Sequence, residues 1–320
     1  EQVNGGIFMN FIVTMLEQGL IYGILSLGLY ITYKILDFPD LTVEGTFLCG
    51  GVVFGVLVTH GCNPWIALLV ALAVGCLFGM LTGFLHVRLH IRPLLCGILV
   101  ATALITVNLI ATSVGVTGDW RGEGSSIITY PRDLGTLHSA LPFSLIPARV
   151  GGVSLRDMIL FLFVAVIFKI LLDLFLKTRR GLLLRATGNN AQFVTTLAKD
   201  AGNNKILGLA IGNGFAAVSG ALYTHIAGGV NQSMGIGTVV IGLASLIIGL
   251  SVFHKVRFLH DTTKVIMGAI IYQGCLSGVN KLGVPTAYNK LIMAFLFVLA
   301  LLFGDRVRHK RRVAKGTKGE

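Results

Sequence analysis

The sequence predicts an all-α, polytopic membrane protein of about nine spans, with eight and ten as the limits, on three observations. Of its 320 residues 54% are hydrophobic and only 12% are charged, against about 25% charged in soluble domains. The apolar residues fall into runs of the length a bilayer-spanning helix needs, roughly 17–25 residues. The 41 glycines suit helices that approach one another closely inside a membrane. A water-exposed surface of ordinary polarity cannot be built from this composition. The net charge of +12 sits in short basic clusters at run ends, which is the positive-inside pattern and not a nucleic-acid-binding face.

Taken in order, the runs place spans at 8–33, 43–59, 65–87, 94–113, 155–176, 206–227, 236–253, 265–278 and 287–304. The eighth is too short to cross unaided. The leading EQVNGG carries no basic n-region, so the first run is expected as a retained span and not a cleaved signal. An N-out, C-in orientation puts Lys34, Arg88, Arg92, the bases of 177–205, Lys255, Arg257, Lys264 and the basic tail on one side, which is most of the 26 Lys and Arg. The expected organisation is a transmembrane domain over 1–304 and a basic cytoplasmic tail over 305–320. Within the domain, 114–153 is expected as an extracytoplasmic segment, either a structured cap or a solvated loop, and 177–205 as a cytoplasmic loop.

Enzyme signatures are missing: the sequence holds no HExxH, no GxSxG and no GxxxxGK[ST], so the chain is not expected to be an enzyme or to hydrolyse ATP itself. No catalytic, cofactor-binding or metal-ligating residue is expected. The five cysteines form no CxxC pair and suit small buried hydrophobes. His86 and His90 have a metal-capable i,i+4 spacing but flank Arg88 at a run end, which favours an interfacial basic turn. Lys169 and Asp173, also four apart, suit a mutually neutralising pair on one helix face.

Three stretches carry functional expectations. The first is Asp37-Phe-Pro-Asp-Leu-Thr-Val-Glu44-Gly45, where Pro39 and Gly45 are expected to break helix continuity as three carboxylates meet the membrane. Asp40 or Thr42 is suited to cap the second span. Broken helices line substrate paths because their freed backbone groups need polar surroundings. Asp37, Pro39, Asp40, Glu44 and, in the fourth run, Asn108 are therefore candidates for a translocation path. An ordinary acid-capped loop fits the first four equally.

The second stretch is a pair of small-residue stripes: Gly75, Gly79 and Gly83 in the third run, and Gly208, Gly212 and Gly220 in the sixth. Such stripes let helix backbones touch, here within one subunit in preference to between subunits. The third is the loop 177–205. Gly188 and Gly202 are expected as turn points bracketing a short helix, with Asn189 or Asn190 as its N-cap. Phe193, Val194, Leu197 and Ala198 fall on one face of it. An apolar face with a basic border suits insertion into a partner's cleft, or a helix lying on the bilayer surface.

These residues also carry a resemblance. Arg185-Ala-Thr-Gly-Asn-Asn-Ala191, Ala201-Gly-Asn-Asn204 and Gly212-Asn-Gly-Phe-Ala-Ala-Val-Ser-Gly-Ala-Leu222 resemble the permease subunits of ABC importers in the branched-chain amino acid and ribose class. Asp37–Thr46 and Gly97-Ile-Leu-Val-Ala-Thr-Ala-Leu-Ile-Thr-Val-Asn-Leu109 are similar to the subgroup described as tryptophan/tyrosine import permeases. The resemblance covers most of 19–304. It implies a subunit of a bacterial cytoplasmic membrane that pairs with a second permease copy, as a homodimer. It further implies two ATP-binding subunits holding ATP-Mg, and an extracytoplasmic substrate-binding lipoprotein. A coupling helix over about 189–201, with Gly188, Asn189, Asn190, Phe193, Val194, Leu197, Ala198 and Gly202, is the implied ATPase contact. The implied cargo is amino acids, aromatic ones favoured. An ion-coupled secondary carrier, using Glu44, Asp37 and the Lys169/Asp173 pair, is the alternative.

Overall fold

The structure, a computed structural model, describes residues 2–118, 127–129, 137, 155–190, 194, 200–256, 258–281, 284–285 and 288–316. Among these are ten α-helices: α1 (Gln2–Leu29), α2 (Thr42–Thr59), α3 (Pro64–Leu89), α4 (Pro93–Thr117), α5 (Leu155–Lys177), α6 (Arg179–Asn189), α7 (Ala201–Ala227), α8 (Thr238–Val252), α9 (Asp261–Lys281) and α10 (Asn289–Gly316). Helix α1 continues as a π-helical stretch, Tyr30–Ile35. Local chemistry sets several of the ends. Asn63 accepts from the Trp65 amide at 3.0 Å with Pro64 at the first helical position of α3, and Pro93 opens α4. Gly118 and Gly228, both left-handed, close α4 and α7, as C-terminal glycines do.

Seven helical segments are long and apolar enough to cross a membrane: Phe11–Ile35, Thr42–Thr59, Pro64–Leu89, Pro93–Gly115, Arg156–Lys177, Ala201–Ala227 and Gln232–Val252. Helices also stand at the eighth and ninth expected places, but with other bounds. The eighth, α9, has 21 residues and not the short 265–278, so it reaches about 31 Å at 1.5 Å per residue. Its lower apolarity has a cause: Thr262, Lys264 and Gln273 are buried, so its polar positions face neighbouring helices and not lipid. The ninth, α10, runs past 304 into the tail as one helix to Gly316.

Helix α7 is the centre, packed against α1, α2 and α3, while α9 joins α1 to α8 and α4 lies on α2. The glycine stripes sit in these contacts. A Cβ on Gly75 would meet Ala217, on Gly79 the Leu209 backbone and on Gly83 the Ile206 Cα at 2.7 Å, all on α7. Gly208 sits against Leu36, Gly212 against Thr32 and Gly220 against the Phe47 carbonyl. Outward, α3 and α4 leave Leu69, Leu77, Phe84, Leu95 and Leu99 exposed, an apolar face suited to lipid. Two three-residue strands, β1 (Ile127–Thr129) and β2 (Gly229–Asn231), pair antiparallel with Ile127 opposite Asn231. They and the buried Leu137 are what the structure describes of the expected extracytoplasmic segment after Gly118.

Candidate functional site

The site begins at the junction of α1 and α2. The π-helical stretch widens the last turn of α1, and the chain leaves it with Phe38 N donating to the Thr32 carbonyl at 2.9 Å. Asp37 then takes a left-handed conformation at φ 53°, uncommon for a residue with a Cβ, and Pro39 follows outside any regular element. Asp37 and Pro39 are exposed, whereas Asp40 is fully buried. The Asp40 carboxyl accepts from the Thr42 amide at 2.9 Å, capping the start of α2, and from Asn213 Nδ2 of α7 at 2.7 Å. Gly45, expected to break the helix, instead lies inside α2. A Cβ there would sit 2.8 Å from Leu104 Cδ1, so it admits α4 and does not end a helix.

Asn213 is the hub. Its Oδ1 accepts from Thr46 Oγ1 at 2.9 Å, and its Nδ2 also donates to the Leu209 carbonyl at 3.0 Å. Thr42 and Thr82 hydroxyls meet at 2.9 Å, extending the network to α3. Asp40, Thr42, Thr46, Thr82 and Asn213 are all fully buried, and a buried network of this kind is stable because every member finds a partner. Burial pushes the Asp40 carboxyl above the usual carboxylate range, while the bonds from Thr42 and Asn213 pull it down. Asn213 lies twelve residues into α7, about 18 Å from its start, so the network is deep in the bundle.

One turn further along α2, Glu44 lines a cavity of about 230 Å³ between α2, α4 and the chain entering α8. Its Oε1 accepts from the Gly237 amide at 3.0 Å, at the N-terminus of α8. Asn108 and Gln232 line the same cavity, and its walls are apolar, with Leu48, Ile98 and Ile105 among them. Asn108 donates through Nδ2 to the Gly45 carbonyl at 3.3 Å. The structure thus brings Glu44 and Asn108 of the expected path together, holds Asp40 in the adjoining network, and leaves Asp37 and Pro39 outside both. Asn213, Thr46, Thr82 and Gln232 were not singled out from sequence. Their signal is a polar side chain inside or beside an apolar run, which for Thr and Ser is too common to select.

The loop 177–205 is more helical than expected. Thr178 caps α6 by accepting from Gly181 N at 3.2 Å, and Asp200 caps α7 by accepting from Gly202 N at 2.8 Å. Gly188 is therefore inside α6 and Gly202 in the first turn of α7, so neither is a turn point. Asn189 ends α6 and Asn190 is its C-cap. Gly188 serves close approach: a Cβ there would run into the Ile35 carbonyl at the end of the π-helical stretch. Val194 is helical and fully buried within this chain, so it does not lie on an open contact face as expected. Phe193, Leu197 and Ala198 lie outside the described residues.

Several other polar groups at this end are paired. Lys169 Nζ meets Asp173 at 2.8 Å, and Asp173 also accepts from Thr262 Oγ1 at 2.7 Å. The two ring nitrogens of His86 face the Ile91 carbonyl at 2.8 Å and Lys205 Nζ at 3.3 Å, so this histidine does not present a free ligand pair with His90. Cys49 and Cys96 are buried, whereas Cys62 and Cys275 are exposed and all five are free thiols. The last two thus depart from the expected burial.

Residues 11–301 match the family model described as branched-chain amino acid transport system / permease component. The tyrosine transport system permease protein of Clostridioides difficile is 39% identical over 297 residues, covering 93% of this chain and 92% of that one. An uncharacterised protein of Rickettsia prowazekii is 32% identical over 300 residues, 92% of this chain and 97% of its own. The autoinducer 2 import system permease LsrC of Photorhabdus luminescens is 26% identical over 226 residues, 67% of this chain and 63% of its own. No solved structure matches the chain.

Proposed function

The chain belongs to the branched-chain amino acid transport permease family, and from that membership we propose that it is the membrane subunit of an ATP-driven amino-acid importer. It is a multi-pass membrane protein and a transport component, not an enzyme. The observation that carries the finer reading is the 39% identity to a tyrosine transport permease over nearly the whole chain, which favours an aromatic amino acid as cargo. In this reading the subunit sits N-out and C-in in a bacterial cytoplasmic membrane, pairs with a second copy, and receives substrate from an external binding protein. ATP and its Mg²⁺ are held by two separate ATP-binding subunits.

Input at the basic end of the bundle reaches α6, whose Gly188 rests on the Ile35 carbonyl. From there the α1–α2 junction leads through Asp40 to Asn213 at the bundle centre. A single push on the 189–201 region can then tilt α2 and the Glu44 cavity together. Copurification of the permease with the ATP-binding subunit encoded beside it tests the docking assignment. Phe193→Asp, which places a charge on the segment proposed to dock, is expected to abolish the complex; a complex that survives this change refutes the assignment.

A further inference from the structure

We propose that the Glu44 cavity is a substrate subsite of the permease itself, built to take the α-ammonium group of an amino acid. The inference rests on the importer reading above and goes beyond it by assigning recognition to this chain. It stands on hydrogen-bonding capacity that the fold leaves unused.

Asn108 is fully buried, and its Oδ1 has no partner, while its Nδ2 is committed to the Gly45 carbonyl. That commitment fixes which way the amide points, so the vacant atom is an acceptor. Both amide atoms of Gln232 are buried and without a partner. Unsatisfied buried polar atoms cost free energy and are rare in folded proteins, and here they converge on one cavity. Among the described residues Glu44 is the only ionisable one lining it; the Gly237 and Val239 amides take two of the several hydrogen bonds a carboxylate can accept, and Lys290 acts on it only through its charge. An acid held inside a span is costly and marks function.

The unused capacity therefore consists of a carboxylate, the acceptors Asn108 Oδ1 and Gln232 Oε1, and the donor Gln232 Nε2. A cation with several N–H donors satisfies the first three, and an ammonium has three such donors. A carboxylate on the same carbon satisfies the Gln232 amide NH₂. The apolar walls at Leu48, Ile98 and Ile105 receive the side chain. A neutral sugar offers no charge to Glu44, and an anion is repelled by it.

The test uses the full-length permease in lipid nanodiscs, with labelled tyrosine as probe, tyramine and 3-(4-hydroxyphenyl)propionate as competitors, and uptake by the complete transporter alongside. Tyramine is expected to compete and the propionate to compete at least about tenfold more weakly, the loss of a charge-assisted contact. Glu44→Gln and Gln232→Met should each weaken tyrosine binding by about tenfold or more. Gln232→Met removes only unpartnered atoms, so its melting temperature should be unchanged or higher, which separates lost recognition from misfolding. Transport by the complete system without tyrosine binding to the wild-type permease overturns the subsite and leaves the importer reading standing. The same holds if both variants bind as wild type, or if the acid competes as well as the amine. A complete transporter that moves no amino acid overturns both.

Discussion

Asp40 and Asn213 show how single residues hold this bundle in one arrangement. Asp40 is a carboxyl with no access to water, kept in place by an amide of its own helix start and by Asn213 across the interface. Asp40→Ala should cost about 1–3 kcal/mol, since it leaves donors buried without an acceptor. Asp40→Asn should cost less, because a flipped Asn213 amide can still pair with it. The two also differ in pH response. Burial raises the Asp40 carboxyl above its ordinary range, so the folded state holds this proton more tightly than the unfolded chain does. Its contribution is fully present below the usual carboxylate value near 4 and is lost as pH rises from there through the raised folded value. Melting curves across that window should slope downward with pH for wild type and flatten for Asp40→Asn. Equal slopes would show that Asp40 does not titrate there.

At the scale of elements, the informative feature is the contact between α6 and the end of α1. The π-helical stretch Tyr30–Ile35 puts the Ile35 carbonyl where Gly188 can rest on it, and π-turns recur at functional positions. Gly188→Ala should therefore destabilise the protein by about 1–3 kcal/mol through overpacking, and should lower transport per ATP hydrolysed. Gly278→Ala is the control: nothing lies within 4 Å of that position, and a helical alanine there should be neutral or stabilising by about 0.5–1 kcal/mol. Thermal unfolding of the two variants side by side checks both. Much of this level was legible in the sequence, since spans follow from runs of apolar residues that the bilayer demands. What was not legible follows from tertiary burial. α9 reads as short because Thr262 and Lys264 stand before its apolar run, yet those side chains are enclosed by neighbours. The Gly188 and Gly202 brackets failed because Thr178 and Asp200 supply the caps and the glycines are used for close approach.

For the whole molecule, composition and basic clustering carried the membrane class, and the Asp37–Gly45 motif pointed to the right region of the bundle. The motif did not say which of its acids goes inside. Only the fold separates the exposed Asp37 from the buried Asp40 and from Glu44 in the cavity. The same fold sets Gly188 of α6 against the Ile35 carbonyl and ties Asp40 at the α1–α2 junction to Asn213, the contacts on which the proposed coupling route rests. Of the groups an ion-coupled carrier would use, Glu44, Asp37 and the Lys169/Asp173 pair, the last two are already paired with each other at 2.8 Å.

The central claim is that energy reaches this chain from ATP-binding partners. Uptake of labelled tyrosine into proteoliposomes measures it directly, using the permease with and without its ATP-binding subunits and binding protein. The account predicts uptake only with all components and ATP inside the compartment that the ATP-binding subunits face, and none from an imposed proton or sodium gradient. Accumulation by the permease alone under such a gradient would contradict it.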